Sequence, residues 1–233
     1  MLRAVLFDFN GVLVDDEPLH MRLIQRVLGE EGIAPFSEEE YWRHLVGLDD
    51  RAAFRELLEG AGESPDAPRL MRLIARKSSY YQESVRRDGY PYFPGAADLV
   101  RGLAATAAAP HLGVVSGALR DEVEGALAQE GLREAFKVLV TAEDVAASKP
   151  DPEGYRRGIE GLNSIPPHPD RLLHPHEVLA IEDTRAGVQA ARAAGLATLA
   201  VAHTYSFEEL GEADRVIASI ADLTVDDLLG AST

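Results

Sequence analysis

Val178-Leu179-Ala180-Ile181-Glu182-Asp183-Thr184-Arg185-Ala186-Gly187 is the stretch that decides the fold. Four apolar residues in a row, bounded by polar ones, are the pattern of a strand buried on both faces. Glu182 and Asp183 end it, and Thr184 to Ala194 then shows helical spacing, closed by Gly195 as a C-cap. A strand that feeds straight into a helix is one unit of a doubly wound parallel sheet. More such units flank it. Leu196 to Val201 predicts the next strand, and Arg215 to Ala218 another. Upstream, Leu112 to Val115 is a strand followed by a helix over Leu119 to Gln129. Phe136 to Val140 is a strand, followed after a loop by a helix over Pro152 to Glu160. Residues 161–177, rich in Pro and His, read as a surface loop.

Val5-Leu6-Phe7 is a further buried-strand run, and Asp8 ends it. Beyond it the hydrophobic period changes. Leu19, Leu23, Ile24, Val27 and Leu28 recur at helical spacing, and Ser37 with Glu40 three residues on forms a capping box before Tyr41, Trp42, Leu45 and Val46. Phe54, Leu57 and Leu58 mark a third helix, and a fourth spans about Arg69 to Val85. Turn signals fall at Gly32, Pro35, Gly60, Gly62 and Pro65. Residues 16–92 therefore predict an all-helical domain inserted after the first strand of an α/β sheet. Residues 1–15 and 93–233 predict the sheet domain.

The chain has 233 residues, 46% of them apolar, enough for a core domain with a smaller partner. It has no cysteine, which removes disulfides, thiolate zinc sites and cysteine nucleophiles, and fits the reducing cytoplasm where the chain is expected. Lys+Arg number 23 against 39 Asp+Glu, a formal charge of −16. That field repels nucleic acid and anionic lipid, so neither is an expected partner. No apolar run approaches membrane-spanning length, and Asp8 and Asp15 interrupt the N-terminal apolar stretch before any signal-peptide pattern is complete. No Gly-x-Gly-x-x-Gly or Gly-Lys-Ser/Thr occurs, and Ser116 sits one place late for a serine-hydrolase elbow. His174-Pro175-His176 has no further ligand at useful spacing and reads as loop. A monomer is expected.

Ligands of an open parallel sheet bind outside the carboxyl ends of its strands. Asp8, Ser116, Glu182 and Asp183 stand at or just past such ends, and Lys149 lies in the loop Ser148-Lys149-Pro150-Asp151-Pro152 before a helix. Carboxylates from separate strand ends make an oxygen-only site suited to magnesium rather than zinc. A carboxylate can also attack phosphorus and split one difficult step into two. Ser116 and Lys149 could then hold the oxygens on which charge develops. Gly11 permits close backbone approach beside Asp8.

Asp8-Phe9-Asn10-Gly11-Val12-Leu13, Ser116-Gly117, Lys149-Pro150 and Glu182-Asp183-Thr184-Arg185-Ala186-Gly187 occur in the order of the haloacid dehalogenase superfamily. Over residues 3 to about 202 the chain most resembles its beta-phosphoglucomutase-like phosphatases. The resemblance implies a Rossmann-like core with a helical cap and a small phosphorylated metabolite as substrate, bound between core and cap. It implies Asp8 as nucleophile, and Asp8, Asp183 and the backbone carbonyl of Asn10 as Mg2+ ligands. Glu182 would be a further ligand or an anchor behind the ligands. Ser116, Gly117 and Lys149 would hold the phosphoryl group, with Gly11 close to it. His20, Arg51 and Lys77 would be substrate contacts from the cap, Arg51 being one position off the usual spacing.

Two departures matter. The family's phosphatases carry Asp two residues after the nucleophile, as acid and base; here the residue is Asn10, whose carboxamide cannot exchange a proton near neutral pH. Three readings are open: a substitution that silences turnover, an enzyme slow or restricted to good leaving groups, or another carboxylate, Asp16, in the role. A phosphate-binding protein with impaired catalysis is the corresponding non-enzyme reading. Secondly, the sugar-phosphate mutases have lysine three residues after the serine. Here that position is Leu119, with Arg120 a helical step away, which favours hydrolysis over mutase action.

Overall fold

The computed structural model describes residues 2–107, 109–166 and 168–230. The chain divides into two compact units, one of Met1–Asp15 with Pro91–Thr233 and one of Asp16–Tyr90. Tyr92 pairs with Val14 in an antiparallel bridge, and Asp15 N–H donates to Pro91 O at 2.7 Å. The two ends of the first unit's interruption are thus stitched together, and the chain rejoins that unit at residue 91.

Among the described residues of the first unit, six strands form one parallel sheet: β1 (Ala4–Phe7), β2 (His111–Val115), β3 (Phe136–Val140), β4 (Val178–Glu182), β5 (Ala197–Val201) and β6 (Arg215–Ile217). Their order is β3-β2-β1-β4-β5-β6. The chain leaves β1 toward one edge and returns to build toward the other, so the direction of winding reverses between β1 and β4. That is where an open α/β sheet binds its ligand. All four residues of β1 are fully buried. Ala4 and Leu6 pack with Val138, Val140, Val178 and Ala180 against Tyr155, Ile159 and Leu162 of a helix over Glu153–Ser164 and Ala190 and Ala191 of one over Arg185–Ala193. Val5 and Phe7 point the opposite way and are equally buried, so both faces of the sheet are covered. Each such side chain contributes about 1.5–3 kcal/mol by burial.

The sheet unit's helices are, in chain order after four in the inserted unit, α5 (Ala96–Ala105), α6 (Arg120–Gln129), α7 (Glu153–Ser164), α8 (Arg185–Ala193) and α9 (Val225–Leu229). Three details differ from the sequence reading. The loop expected over 161–177 begins later, because α7 continues to Ser164 to bury Leu162. Glu182 is the last residue of β4 rather than the first beyond it, paired in register with Ala200. The C-terminal α9, opened by a Thr224–Asp227 capping box, has too few apolar residues to show a period.

The inserted unit contains α1 (Glu17–Glu30), α2 (Glu38–Glu40) running into a π-helical turn at Tyr41–Leu45, α3 (Asp50–Gly60) and α4 (Ala67–Asp88). The capping box is present: Glu40 N–H donates to Ser37 Oγ, and Ser37 N–H donates to Glu40 Oε2. Asp49 and Asp66 cap α3 and α4 by accepting from Ala52 N–H and Arg69 N–H, without the return bond. No helix among the described residues is long and apolar enough to cross a membrane.

Candidate active site

Asp8 is held where β1 runs out. Its N–H continues the ladder to Ile181 O at 2.9 Å, and its Oδ1 accepts from Phe9 N–H at 2.7 Å. Oδ2 lies 2.9 Å from Lys149 Nζ, and the same ammonium is 2.7 Å from Glu182 Oε1. Asp8, Glu182 and Asp183 are all buried, each offering an oxygen within 4.8 Å of the others. The sheet order explains the convergence: β4 is the direct neighbour of β1.

Burial alone would lower the Lys149 ammonium, but Asp8 and Glu182 more than offset it, so the net shift is upward and the lysine stays charged. Glu182 is pushed up to about 7, first by burial and then by the Asp8 charge, against the opposing pull of Lys149 and the Tyr155 hydroxyl. Tyr155, fully buried on α7, donates that hydroxyl to Glu182 Oε1, and its own ionisation is pushed up by burial and by Glu182. Thr184 Oγ1 is 3.5 Å from Glu182 Oε2, and a Cβ at Gly187 would sit 1.9 Å from that oxygen. Glu182 is therefore walled by a lysine, a tyrosine, a threonine and a helix turn, the surroundings of an anchor as much as of a ligand.

Asp183 is enclosed differently. Gly11 adopts φ +75°, and a Cβ built there would lie 1.9 Å from Asp183 Oδ2. Thr204 donates its hydroxyl to the same oxygen. Three carboxyl groups against one ammonium leave net negative charge in a buried, oxygen-only cluster. A divalent hard cation matches that donor set, whereas zinc would favour nitrogen or sulfur.

Ser116 N–H donates to Val140 O at 2.9 Å, which places the residue at the end of β2, the other neighbour of β1. Its Oγ accepts from Ala118 N–H at 3.0 Å. Leu119 is the N-cap of α6, and the serine closes a turn ahead of it. Gly117 is exposed beside it. Asn10 is half-buried, and its backbone forms a bridge with Val14. The Lys149–Pro150 peptide is cis. Arg120, the cation next to Leu119 in sequence, binds Asp144 at 2.5 Å and reaches Glu124 at 3.8 Å, while its N–H donates to Glu143. Its charge is engaged by acids, which removes the substitute for the mutases' lysine.

The remaining candidates lie in the helical unit. Asp16 is fully buried before α1, with its Oδ2 accepting the Tyr81 hydroxyl and lying 3.2 Å from His20 Nε2. His20 Nδ1 meets Lys77 Nζ, and Lys77 pairs with Asp50 at 2.8 Å. Lys77 is only 1% exposed, buried although it adjoins Arg76 in a charged pair. Glu17, which accepts from the Tyr41 hydroxyl, is pushed up by burial. Arg51 is exposed in the first turn of α3. The sequence reading missed Tyr155, His203 and Thr204. Each touches the site, and the two latter come just after β5, a strand end that was available as a signal.

A central strand ending on a carboxylate, with a serine loop on one side and paired acids on the other, defines an α/β enzyme of phosphoryl transfer. The chain belongs to the haloacid dehalogenase-like hydrolases, whose family model matches residues 5–201. It is a phosphoric monoester hydrolase. Similar proteins include CbbY of Rhodobacter capsulatus, 29% identical over 100% of this chain and 96% of that protein. Hexitol phosphatase A of Escherichia coli (strain K12) is 30% identical over 96% of this chain and 94% of its own length. The crystal structure of CbbY from Rhodobacter sphaeroides in complex with phosphate superposes with a TM-score of 0.82, at 27% identity, over 96% of each chain.

Proposed function

We propose that the chain is a Mg2+-dependent phosphatase of small phosphorylated sugars or polyols, working through an aspartyl-phosphate on Asp8. The observation that carries this reading is the placement of Asp8 Oδ2 2.9 Å from Lys149 Nζ, inside a cluster that includes Asp183 and Glu182. Asp8, Asp183 and the Asn10 carbonyl would hold the ion, with Glu182 behind them. When bound, the ion would neutralise charge on the phosphoryl oxygens. An Asp8 carboxylate oxygen attacks phosphorus, the new O–P bond forms as the bond to the substrate oxygen breaks, and the leaving oxygen takes a proton. Water then attacks the same phosphorus, releasing inorganic phosphate and restoring Asp8. Lys149 and Ser116 hold the equatorial oxygens through both halves. The sugar or polyol class rests on the name of hexitol phosphatase A, a 30% identical relative.

Asn10 cannot supply the proton, and Asp16 is proposed for that role. Its carboxylate is bonded by the Tyr81 hydroxyl and by His20, two groups able to pass a proton on. Asp16→Ala is expected to abolish hydrolysis while the fold is kept, and unchanged turnover removes it from the mechanism. The main test uses para-nitrophenyl phosphate and hexitol phosphates with Mg2+. Turnover lost with chelator, lost in Asp8→Asn, and accompanied by a hydroxylamine-sensitive phosphoprotein is the expected outcome. Hydrolysis undiminished in Asp8→Asn overturns the proposal.

A further inference from the structure

We infer that His203 and Thr204, the two residues that turn off the end of β5, are positioning residues that lock the loops carrying the divalent-cation ligands. The inference rests on the metal reading above and adds residues that no motif of the sequence marks.

The segment is pinned before it reaches the site. Ala202 N–H donates to Ile217 O at 2.9 Å, extending the ladder to β6, and His203 N–H turns back to Val201 O at 2.9 Å. Glu182 pairs in register with Ala200, so the residues just past β5 run beside Asp183. Thr204 then places its hydroxyl on Asp183 Oδ2. That oxygen is already pressed against Gly11, where not even a Cβ fits. Between the glycine and the threonine, the carboxylate has one orientation available.

His203 acts on the other loop. Its Nδ1 lies 2.8 Å from Gly11 O, in the peptide next after the Asn10 carbonyl. Its Nε2 lies 3.4 Å from Ile220 N and 3.5 Å from Ser219 Oγ. The Ile220 N–H can only donate, so Nε2 is the acceptor, Nδ1 carries the proton, and Nδ1–H donates to Gly11 O. Its neighbours thus select one tautomer of the neutral ring. Burial lowers its protonation, against the opposing pulls of the Gly11 carbonyl and the Asp15 charge. Phe93 stacks on the ring, with centroids 3.9 Å apart and planes at 17°. One dipeptide therefore fixes the Gly11 peptide and the Asp183 carboxylate together, from a strand that supplies no ligand itself. Groups that orient ligands in this way are typically worth about 10–100-fold in metal affinity.

The test is Mn2+ binding to the substrate-free chain, read by the loss of free-ion EPR signal, with thermal melting in parallel. Thr204→Val removes the hydroxyl at constant shape and is expected to weaken Mn2+ affinity at least about 10-fold, with Thr204→Ser restoring it. His203→Leu should weaken it comparably, and His203→Asn, which keeps a donor, should recover part of the loss. If a removal variant fails to fold, the paired Thr204→Ser and His203→Asn chains carry the comparison: affinity kept in Thr204→Ser and partly lost in His203→Asn is the expected result, and parental affinity in His203→Asn overturns the inference. Mn2+ affinity unchanged in folded Thr204→Val and His203→Leu overturns the inference while leaving the metal reading intact. Failure of the parent chain to bind Mn2+ overturns the metal reading, and this inference with it.

Discussion

Asn10 sits two residues beyond the nucleophile, and its chemistry sets the rate expected of the site. A general acid or base in that place is worth about 10²–10⁴-fold, or roughly 3–5 kcal/mol of barrier. In the Asp16→Ala background, where the proposed acid is absent, Asn10→Asp should raise kcat for an alkyl phosphate by about that factor. The gain should be much smaller for para-nitrophenyl phosphate, whose leaving group needs no proton. Steady-state rates on the two substrates check this, and equal gains on both would mean that proton transfer to the leaving group is not the missing step. Residues of this kind were legible because each stands at a strand end: Asp8, Ser116, Glu182 and Asp183 could be placed from apolar runs alone. Tyr155 could not, and for His203 and Thr204 the end of β5 marked the place but not the partner. Their partners are 27, 192 and 21 residues away in sequence, so nothing local records the pairing.

At the scale of elements, the strands read most faithfully. Phe136–Val140 is bounded as predicted, with four apolar residues around the half-buried Lys137. Helix ends read less well, because they depend on what they pack against: α7 outruns its pattern to bury Leu162. The α4 helix shows the limit most clearly. Lys77 looks like half of a solvated pair, yet it lies beneath the surface against Asp50 and His20, with its Nζ 5.7 Å from the Tyr81 ring centroid. Removing one partner of a buried ion pair typically costs about 3–5 kcal/mol. Asp50 keeps 18% of its side-chain surface in water, so Lys77→Ala should cost less, about 2–3 kcal/mol. Urea unfolding followed by Trp42 fluorescence, a reporter within the same unit, would measure it. A change below about 0.5 kcal/mol, the usual range for surface substitutions, would mean that the lysine is solvated after all.

For the whole molecule, the two-unit organisation was legible because the hydrophobic period changes after Asp8 and changes back near Tyr92. What no period reveals is how the sheet unit ties its own distant segments together. Arg3 precedes β1 and Glu177 precedes β4. Arg3 Nη1 lies 3.6 Å from Glu177 Oε2, its N–H donates to Glu177 O at 2.9 Å, and Arg171 holds the same carboxylate at 2.5 Å. His174 N–H donates to Glu177 Oε2 at 3.1 Å. The Arg171 hydrogen bonds first, then His174 N–H, hold this carboxyl down at about 2, below its usual 4.5. A carboxyl depressed on folding stabilises the native state fully above its unfolded value and loses that contribution as pH falls through its folded one. The stability difference between the parent chain and Glu177→Gln should therefore be constant above about pH 5 and shrink between about pH 4.5 and pH 2. Urea midpoints at about pH 7, 5, 4 and 3 would trace it, both chains carrying the same background titration from their other acids. A difference that stays constant through that window would mean that the carboxyl is not depressed, and that packing rather than charge joins the starts of β1 and β4.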